Sequence, residues 1–184
     1  MSKKVTIGLI VAVLVIGGGF IFLFGRNKED TNSATSTVST KVSNLKRYDA
    51  CSLLTLAEAK EILGESASEG TNTPAVSGGD VKVSNCSYTN NATAVKDIRV
   101  ITVTARAPLT QTGVESNKVL FDQQRPSGAE TVEGYGQDAF WDPATHQLTI
   151  SRDNNWISIV YGGTNPANNT LADAKLVGDK VIKD

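Results

Sequence analysis

The only histidine in the sequence, His146, follows two aspartates in a region rich in aromatic residues. Asp138, Asp142 and His146 bracket the predicted strand around Trp141 and could converge on a divalent ion, since carboxylates and imidazole are both common metal ligands. The alternative is that these side chains cap the backbone of a hairpin turn, which Asp residues often do. The sequence therefore contains one candidate metal or hydrolytic site.

Nucleophilic catalysis has little support among the remaining residues. A serine triad built on His146 would need a Gly-x-Ser-x-Gly turn, and the sequence has none. Cys51 and Cys86 are the only cysteines, and an even pair of this kind indicates a disulfide formed in an oxidising compartment. The alternative is two separate buried thiols, because free cysteine is common in protein cores. No catalytic residue is assigned, no cofactor is expected, and whether the protein is an enzyme stays open.

Four aromatic residues are the candidates for a ligand-binding groove. They are Tyr135, Trp141, Trp156 and Tyr161. Residues of this kind more often fill the core of a small domain, so the core interpretation is favoured over the groove.

The N-terminal region predicts a membrane anchor. Residues 5–24 carry no charge, and twenty such residues in a helix span roughly 30 Å, the thickness of the bilayer hydrocarbon. The alternative is a cleaved secretory signal, whose apolar region would normally be shorter. Residues 1–4 then form a cytoplasmic tip. The basic residues flanking the span are nearly balanced, so the cysteine pair decides the orientation and places the C-terminal domain outside the cytoplasm.

Composition divides the rest of the chain into a linker and a domain. Residues 25–48 are rich in Ser, Thr and Asn, which predicts a flexible polar linker. Residues 49–184 form the predicted globular domain, with eleven Lys and Arg against seventeen Asp and Glu, a net charge of −6. A surface of this sign repels phosphate backbones, so nucleic acid is excluded as a partner.

Capping residues and hydrophobic patterns predict an α+β domain. Thr55 and Glu58 have the spacing of a capping box, and Gly64 supplies a stop for the first helix. Helices are predicted at residues 54–64, 114–124 and 170–183, and strands at 81–88, 98–105, 139–141, 147–152 and 156–161. The predicted architecture is an antiparallel meander packed by N-terminal and C-terminal helices, preceded by one transmembrane helix.

The order of motifs in residues 49–184 resembles a domain of unknown function found in actinobacterial cell-envelope lipoproteins. The matching segments are residues 49–55 with Glu58 and Leu63-Gly64, Cys86-Ser87-Tyr88, residues 134–141, and the closing strands with the terminal helix. The resemblance implies an extracytoplasmic domain, a Cys51–Cys86 bridge and a fold similar to the PsbP-like sandwich. It brings no catalytic residues. This chain departs from the pattern in its anchor, which is a predicted membrane helix rather than an acylated cysteine.

These observations favour a bacterial single-pass membrane protein with an extracytoplasmic binding or protein-interaction module. The expected partners are the membrane, through residues 5–24, and an envelope protein or small ligand. A metal-dependent or hydrolytic envelope enzyme and a structural envelope component without a ligand are the alternatives.

Overall fold

The computed structural model describes residues 44–70, 72, 75–165 and 169–183. The predicted cytoplasmic tip, the predicted membrane segment and the predicted linker up to residue 43 lie outside the described residues. Within the described part of the chain, no helix combines the length and the apolar character needed to cross a bilayer.

The described chain contains four α-helices and eight β-strands. The helices are α1 (Ala50–Leu53), α2 (Leu56–Leu63), α3 (Gln111–Gln124) and α4 (Leu171–Val181), and Val95–Asp97 form one 3₁₀ turn. The strands are β1 (Ser68–Glu69), β2 (Val76–Gly78), β3 (Val81–Thr89), β4 (Arg99–Pro108), β5 (Glu130–Thr131), β6 (Asp138–Asp142), β7 (Gln147–Arg152) and β8 (Asn155–Gly163).

The strands form one antiparallel sheet. Its order is β1-β3-β4-β8-β7-β6-β5, and β2 also pairs with β3. The long strands β4 and β8 lie side by side at the centre, and β6, β7 and β8 form the predicted meander. The α+β class and the antiparallel sheet predicted from the sequence are thus confirmed.

The two faces of the sheet are covered by different helices. Helices α1, α2 and α4 pack on one face, where the inward residues of β4, β7 and β8 build a continuous apolar core. Helix α3 packs on the opposite face, against β4, β7 and β8. The sequence predicted cover from the N-terminal and C-terminal helices, and α3 adds a third layer on the other side.

Local capping signals position α2 and α4. Thr55 and Glu58 form the predicted capping box of α2, which ends at Gly64 with a φ of +98° that suits glycine. Thr170 and Asp173 form the same box at the start of α4. These boxes satisfy backbone N–H groups that a helix start otherwise leaves without partners.

Two predicted elements differ in extent from the structure. Helix α3 begins three residues before the predicted start, because the Thr110 hydroxyl accepts a hydrogen bond from Gly113 N and caps the helix there. Strand β4 extends to Pro108 rather than residue 105. It lies centrally, but Val100 on the α3 side is 37% exposed because α3 does not extend that far.

A disulfide joins the first helix to the sheet. Cys51 in α1 and Cys86 in β3 are bonded, with their Cα atoms 5.1 Å apart. The predicted pairing is confirmed, and neither cysteine is a free thiol. The bridge fixes the beginning of the domain to β3, the long strand beside the short edge strands β1 and β2.

Candidate ligand-binding cleft

The four candidate aromatics do not line a common groove. Tyr135, Trp141 and Tyr161 belong to the apolar core and are at most 7% exposed. Trp156 and Tyr161 lie five positions apart in β8, so their side chains point to opposite faces of the sheet. Trp156 therefore lies on the α3 face. The core interpretation applies to three of the four.

Tyr135 locks the loop before β6 onto α4. Its hydroxyl donates a hydrogen bond to Asp179 Oδ1 at 2.6 Å, and its ring lies against Gly178. A Cβ at Gly178 would lie 2.7 Å from Tyr135 Cε1, so only glycine allows this approach. Burial, helped by the hydrogen bond and charge of Asp179, raises the pKa of Tyr135. Tyr135 is a structural contact of the core.

Two of the three candidate metal ligands, Asp138 and Asp142, have other partners. Asp138 lies 2.7 Å from Arg125 Nη2. Asp142 accepts hydrogen bonds from Thr145 Oγ1 at 2.6 Å and from Ala144 N at 2.9 Å, which lower the pKa of that carboxyl. Among residues 44–70, 72, 75–165 and 169–183, no group of three or more His, Cys, Asp or Glu side chains could hold a metal ion. The structure thus places Asp142 in the turn-capping role and does not assemble a ligand set with His146.

Tyr88 fills the space beside the disulfide. Its ring is buried and its hydroxyl donates a hydrogen bond to Leu54 O, which ties β3 to the end of α1. Burial, followed by the charges of Glu69 and Glu58, raises the pKa of Tyr88 to about 12. The Cys86-Ser87-Tyr88 segment therefore serves packing, and its cysteine is not available as a nucleophile.

A cleft of about 440 Å³ lies between α3 and the ends of β6 and β7. This volume is in the range of small-molecule and peptide-side-chain sites. Phe121 and Val114 supply its apolar surface. Its other lining residues are polar or charged, namely Gln111, Glu115, Asn117, Lys118, Asp122, Gln137, Asp138, Ser151 and Asn154. We call this space the α3 cleft.

Asn117 joins α3 to the sheet through hydrogen bonds. Its side chain is 2% exposed, and its Nδ2 donates hydrogen bonds of 2.8 Å to both Arg106 O and Asn154 O. Its Oδ1 accepts a hydrogen bond from Arg106 Nη1, and Ser116 Oγ accepts another from Nη2 of the same guanidinium. A buried amide with every hydrogen-bonding group satisfied fixes one geometry, because each misplaced partner would cost the full desolvation of a polar group.

Aromatic packing closes the far end of α3. The rings of Phe121 and Phe140 meet edge to face with centroids 5.2 Å apart. The Arg125 guanidinium lies over both rings, 5.3 and 5.1 Å from their centroids, and pairs with Asp138 at the cleft. The apolar part of the cleft is thus rigid, while its rim presents carboxylates, amides and one ammonium.

The residues of the α3 cleft can hold a ligand through hydrogen bonds and charge. Its lining contains one hydroxyl, from Ser151, but neither a histidine nor a cysteine. Three carboxylates and Lys118 give the lining residues a net charge of −2. The sequence predictions reached only Asp138 of this set. The signal that could have found the cleft is the spacing of Gly113, Asn117 and Phe121, which places a polar amide on the buried stripe of a helix.

Two other surface depressions offer fewer unpaired polar groups for a ligand. One of about 530 Å³ lies between residues 47–49, α1, the start of α2 and the end of α4. Its two lysines are paired, Lys180 with Glu61 and Lys183 with Glu58 at 3.7 Å, and Arg47 donates a hydrogen bond to Pro108 O. Another, of about 270 Å³, lies on the open part of the sheet beside Val100.

No protein-family model, curated protein or solved structure matches this chain. Its function is therefore inferred from its own residues.

Proposed function

We propose that residues 49–184 are an extracytoplasmic binding module whose ligand or partner occupies the α3 cleft. The observation that carries the proposal is the cleft itself, because it combines a rigid apolar base at Phe121 with a rim of polar groups that can orient a ligand. Much of that rim, including Glu115, Lys118 and Asp122, is exposed and makes none of the ion pairs found in the described part of the chain.

The cellular setting of the proposal comes from the N-terminal sequence and the disulfide. Residues 5–24 are uncharged and of the length of a membrane span, and the polar linker that precedes residue 46 gives the domain reach above the bilayer. The Cys51–Cys86 bridge is of the kind that persists in oxidising compartments. We propose on these grounds a single-pass protein of a bacterial cell membrane, with its C-terminal domain outside.

The resemblance to envelope lipoprotein domains is part of the same proposal. Helices on both faces of an antiparallel sheet, and a disulfide at the first helix, support a PsbP-like sandwich of that family. The segment at residues 134–141 contributes Tyr135 and Trp141 to the core, so its role in this chain is to shape the fold.

Photocrosslinking from the cleft tests the proposal. The crosslinking residue p-benzoylphenylalanine is placed in the cleft, at Gln111, Lys118 or Asp122, or at Leu176, which is exposed on α4. The full chain is then irradiated in its native membranes. We expect a defined adduct from position 118 and none from position 176. Adducts from position 176 alone would refute the cleft as the site, and no adduct from positions 111, 118 or 122 would favour a structural component without a ligand.

A further inference from the structure

The turn between β7 and β8 connects two parts of the molecule that are distant in sequence. Arg152 pairs with Asn155, and the two residues between them, Asp153 and Asn154, have φ values of +47° and +64°. This is the geometry of a type I′ hairpin turn, which is tight and well defined. A change in the position of this turn would therefore affect the residues that it contacts on both of its sides.

On one side, the turn holds the segment through which the chain enters the domain. The Tyr48 hydroxyl donates a hydrogen bond to Asp153 Oδ2 at 2.5 Å, and Lys46 Nζ lies 3.3 Å from the same oxygen. Tyr48 N donates to Asn155 Oδ1 at 3.2 Å, and Asn155 Nδ2 donates to Lys46 O at 2.9 Å. The Arg152 guanidinium lies 5.2 Å from the Tyr48 ring centroid. We call residues 46–48 the entry segment.

On the other side, the same turn shapes the α3 cleft. Asp153 N donates a hydrogen bond to Gln137 Oε1 at 2.9 Å, and Asn154 O accepts one from Asn117 Nδ2 at 2.8 Å. Gln137, Asn117 and Asn154 all line the cleft. Asp153 thus bonds the entry segment through its carboxylate and the cleft through its backbone.

The entry segment can leave its site without unfolding the domain. The side chain of Lys46 is 65% exposed and that of Asp153 is 30% exposed, so water can replace their ion pair at modest cost. Release also withdraws the Tyr48 ring from the core and removes the contacts of Tyr48 N and Lys46 O with Asn155, which is 1% exposed, so the docked form is favoured. The disulfide at Cys51 fixes the chain to β3 three residues after Tyr48. Release therefore stops at α1, before α2.

We propose that the β7–β8 turn couples the entry segment to the α3 cleft, so that docking or release of residues 46–48 changes the conformation of the binding site. This inference rests on the proposed function of the cleft. The domain has two states, one with the entry segment docked and one with it released. The conformation of the β7–β8 turn depends both on the entry segment and on the occupant of the α3 cleft. By linkage, a ligand that favours one cleft conformation would shift the entry segment in the same direction. The attachment to the linker would in this way regulate binding.

Hydrogen exchange of the full chain tests the coupling without any ligand. Tyr48→Phe removes only the hydroxyl that binds Asp153, and Lys46→Ala removes the second contact to that carboxylate. Tyr161→Phe is the matched control, since it removes a tyrosine hydroxyl at the opposite end of β8. We expect amide exchange to rise about five- to tenfold at residues 46–50 and 153–155 and within α3, as loss of one partly exposed hydrogen bond implies. Exchange in β3 should stay unchanged, and the control should leave the turn and α3 unchanged.

Two results would overturn the coupling. One is faster exchange confined to residues 46–50, which would show that the entry segment opens locally without affecting the α3 cleft. The other is a uniform rise over the whole domain, which would reduce the effect to global stability. Either result would refute only the coupling through the turn, and the photocrosslinking result for the cleft would not be affected. Failure of that test would in turn leave the exchange pattern intact.

Discussion

Replacing Gly178 by alanine perturbs the contact between α4 and the core at one atom. Helix propensity alone would make this change stabilising by about 1 kcal/mol, since glycine is a poor helix former. The added Cβ, however, would lie 2.7 Å from Tyr135 Cε1 and 3.2 Å from Leu148 Cδ2. Overpacking of this kind costs about 1–3 kcal/mol, and displacement of the Tyr135 ring also weakens its hydrogen bond to Asp179. We expect a net loss of about 1–2 kcal/mol in the free energy of unfolding.

Urea denaturation followed by tryptophan fluorescence measures this loss, and a double-mutant cycle identifies its cause. In a Tyr135→Ala background the closest clash is absent, so Gly178→Ala should become neutral or stabilising there. Leu176→Ala is the control on the exposed side of α4 and should change stability little. A stabilising effect of Gly178→Ala in the unmodified chain would refute the packing argument.

Three further predictions follow from the contacts described above. The Tyr48 hydrogen bond, with nearby positive charges, lowers the pKa of Asp153, so its stabilisation is present above the ordinary carboxyl pKa and is lost as the pH falls through the lowered value. Asp153→Asn should flatten this acid limb in urea titrations between pH 2 and pH 6. Replacing both Cys51 and Cys86 by serine should lower the free energy of unfolding by about 3–4 kcal/mol in urea titrations, and reductant should then have no further effect. Asn117→Leu should cost about 2–3 kcal/mol in the same assay, because it leaves buried backbone and guanidinium groups without partners; a smaller loss than for an exposed α3 substitution would contradict this role.

Features set by neighbouring residues could be predicted from the sequence. The capping boxes at Thr55 and Thr170 depend on a side chain three positions away, and the turn at Asp153 depends on residue types that tolerate positive φ. The Cys51–Cys86 pairing was predictable because only one pairing exists.

Features set by distant residues could not be predicted. The early start of α3 was missed because Gly113 disfavours a helix in isolation, yet it is required there, since a Cβ would collide with Asp80 O. Strands β1, β2 and β5 have two or three residues each and exist only through their partners. The α3 cleft joins residues 111–122 to residues 137–154, so the helical spacing of Gly113, Asn117 and Phe121 could indicate one side of the cleft but not the other.

The aromatic groove was a different case. Trp156 and Tyr161 occupy one strand at an odd spacing, so strand alternation already placed them on opposite faces of the sheet. That argument was available from the sequence. Strand alternation could not predict where Tyr135 and Trp141 pack, because their position relative to β8 depends on the tertiary fold.

Thiol labelling in intact cells tests the location of the domain and the occupancy of the cleft together. Both native cysteines are bonded to each other, so Lys118→Cys introduces the only free thiol of the full chain, and Leu176→Cys is its matched control. With a membrane-impermeant maleimide, we expect both variants to label without permeabilisation. We also expect position 118 to label more slowly relative to position 176 than it does in the purified protein, because a bound partner shields it. Labelling only after permeabilisation would contradict the extracytoplasmic location, and an unchanged ratio would contradict an occupied cleft.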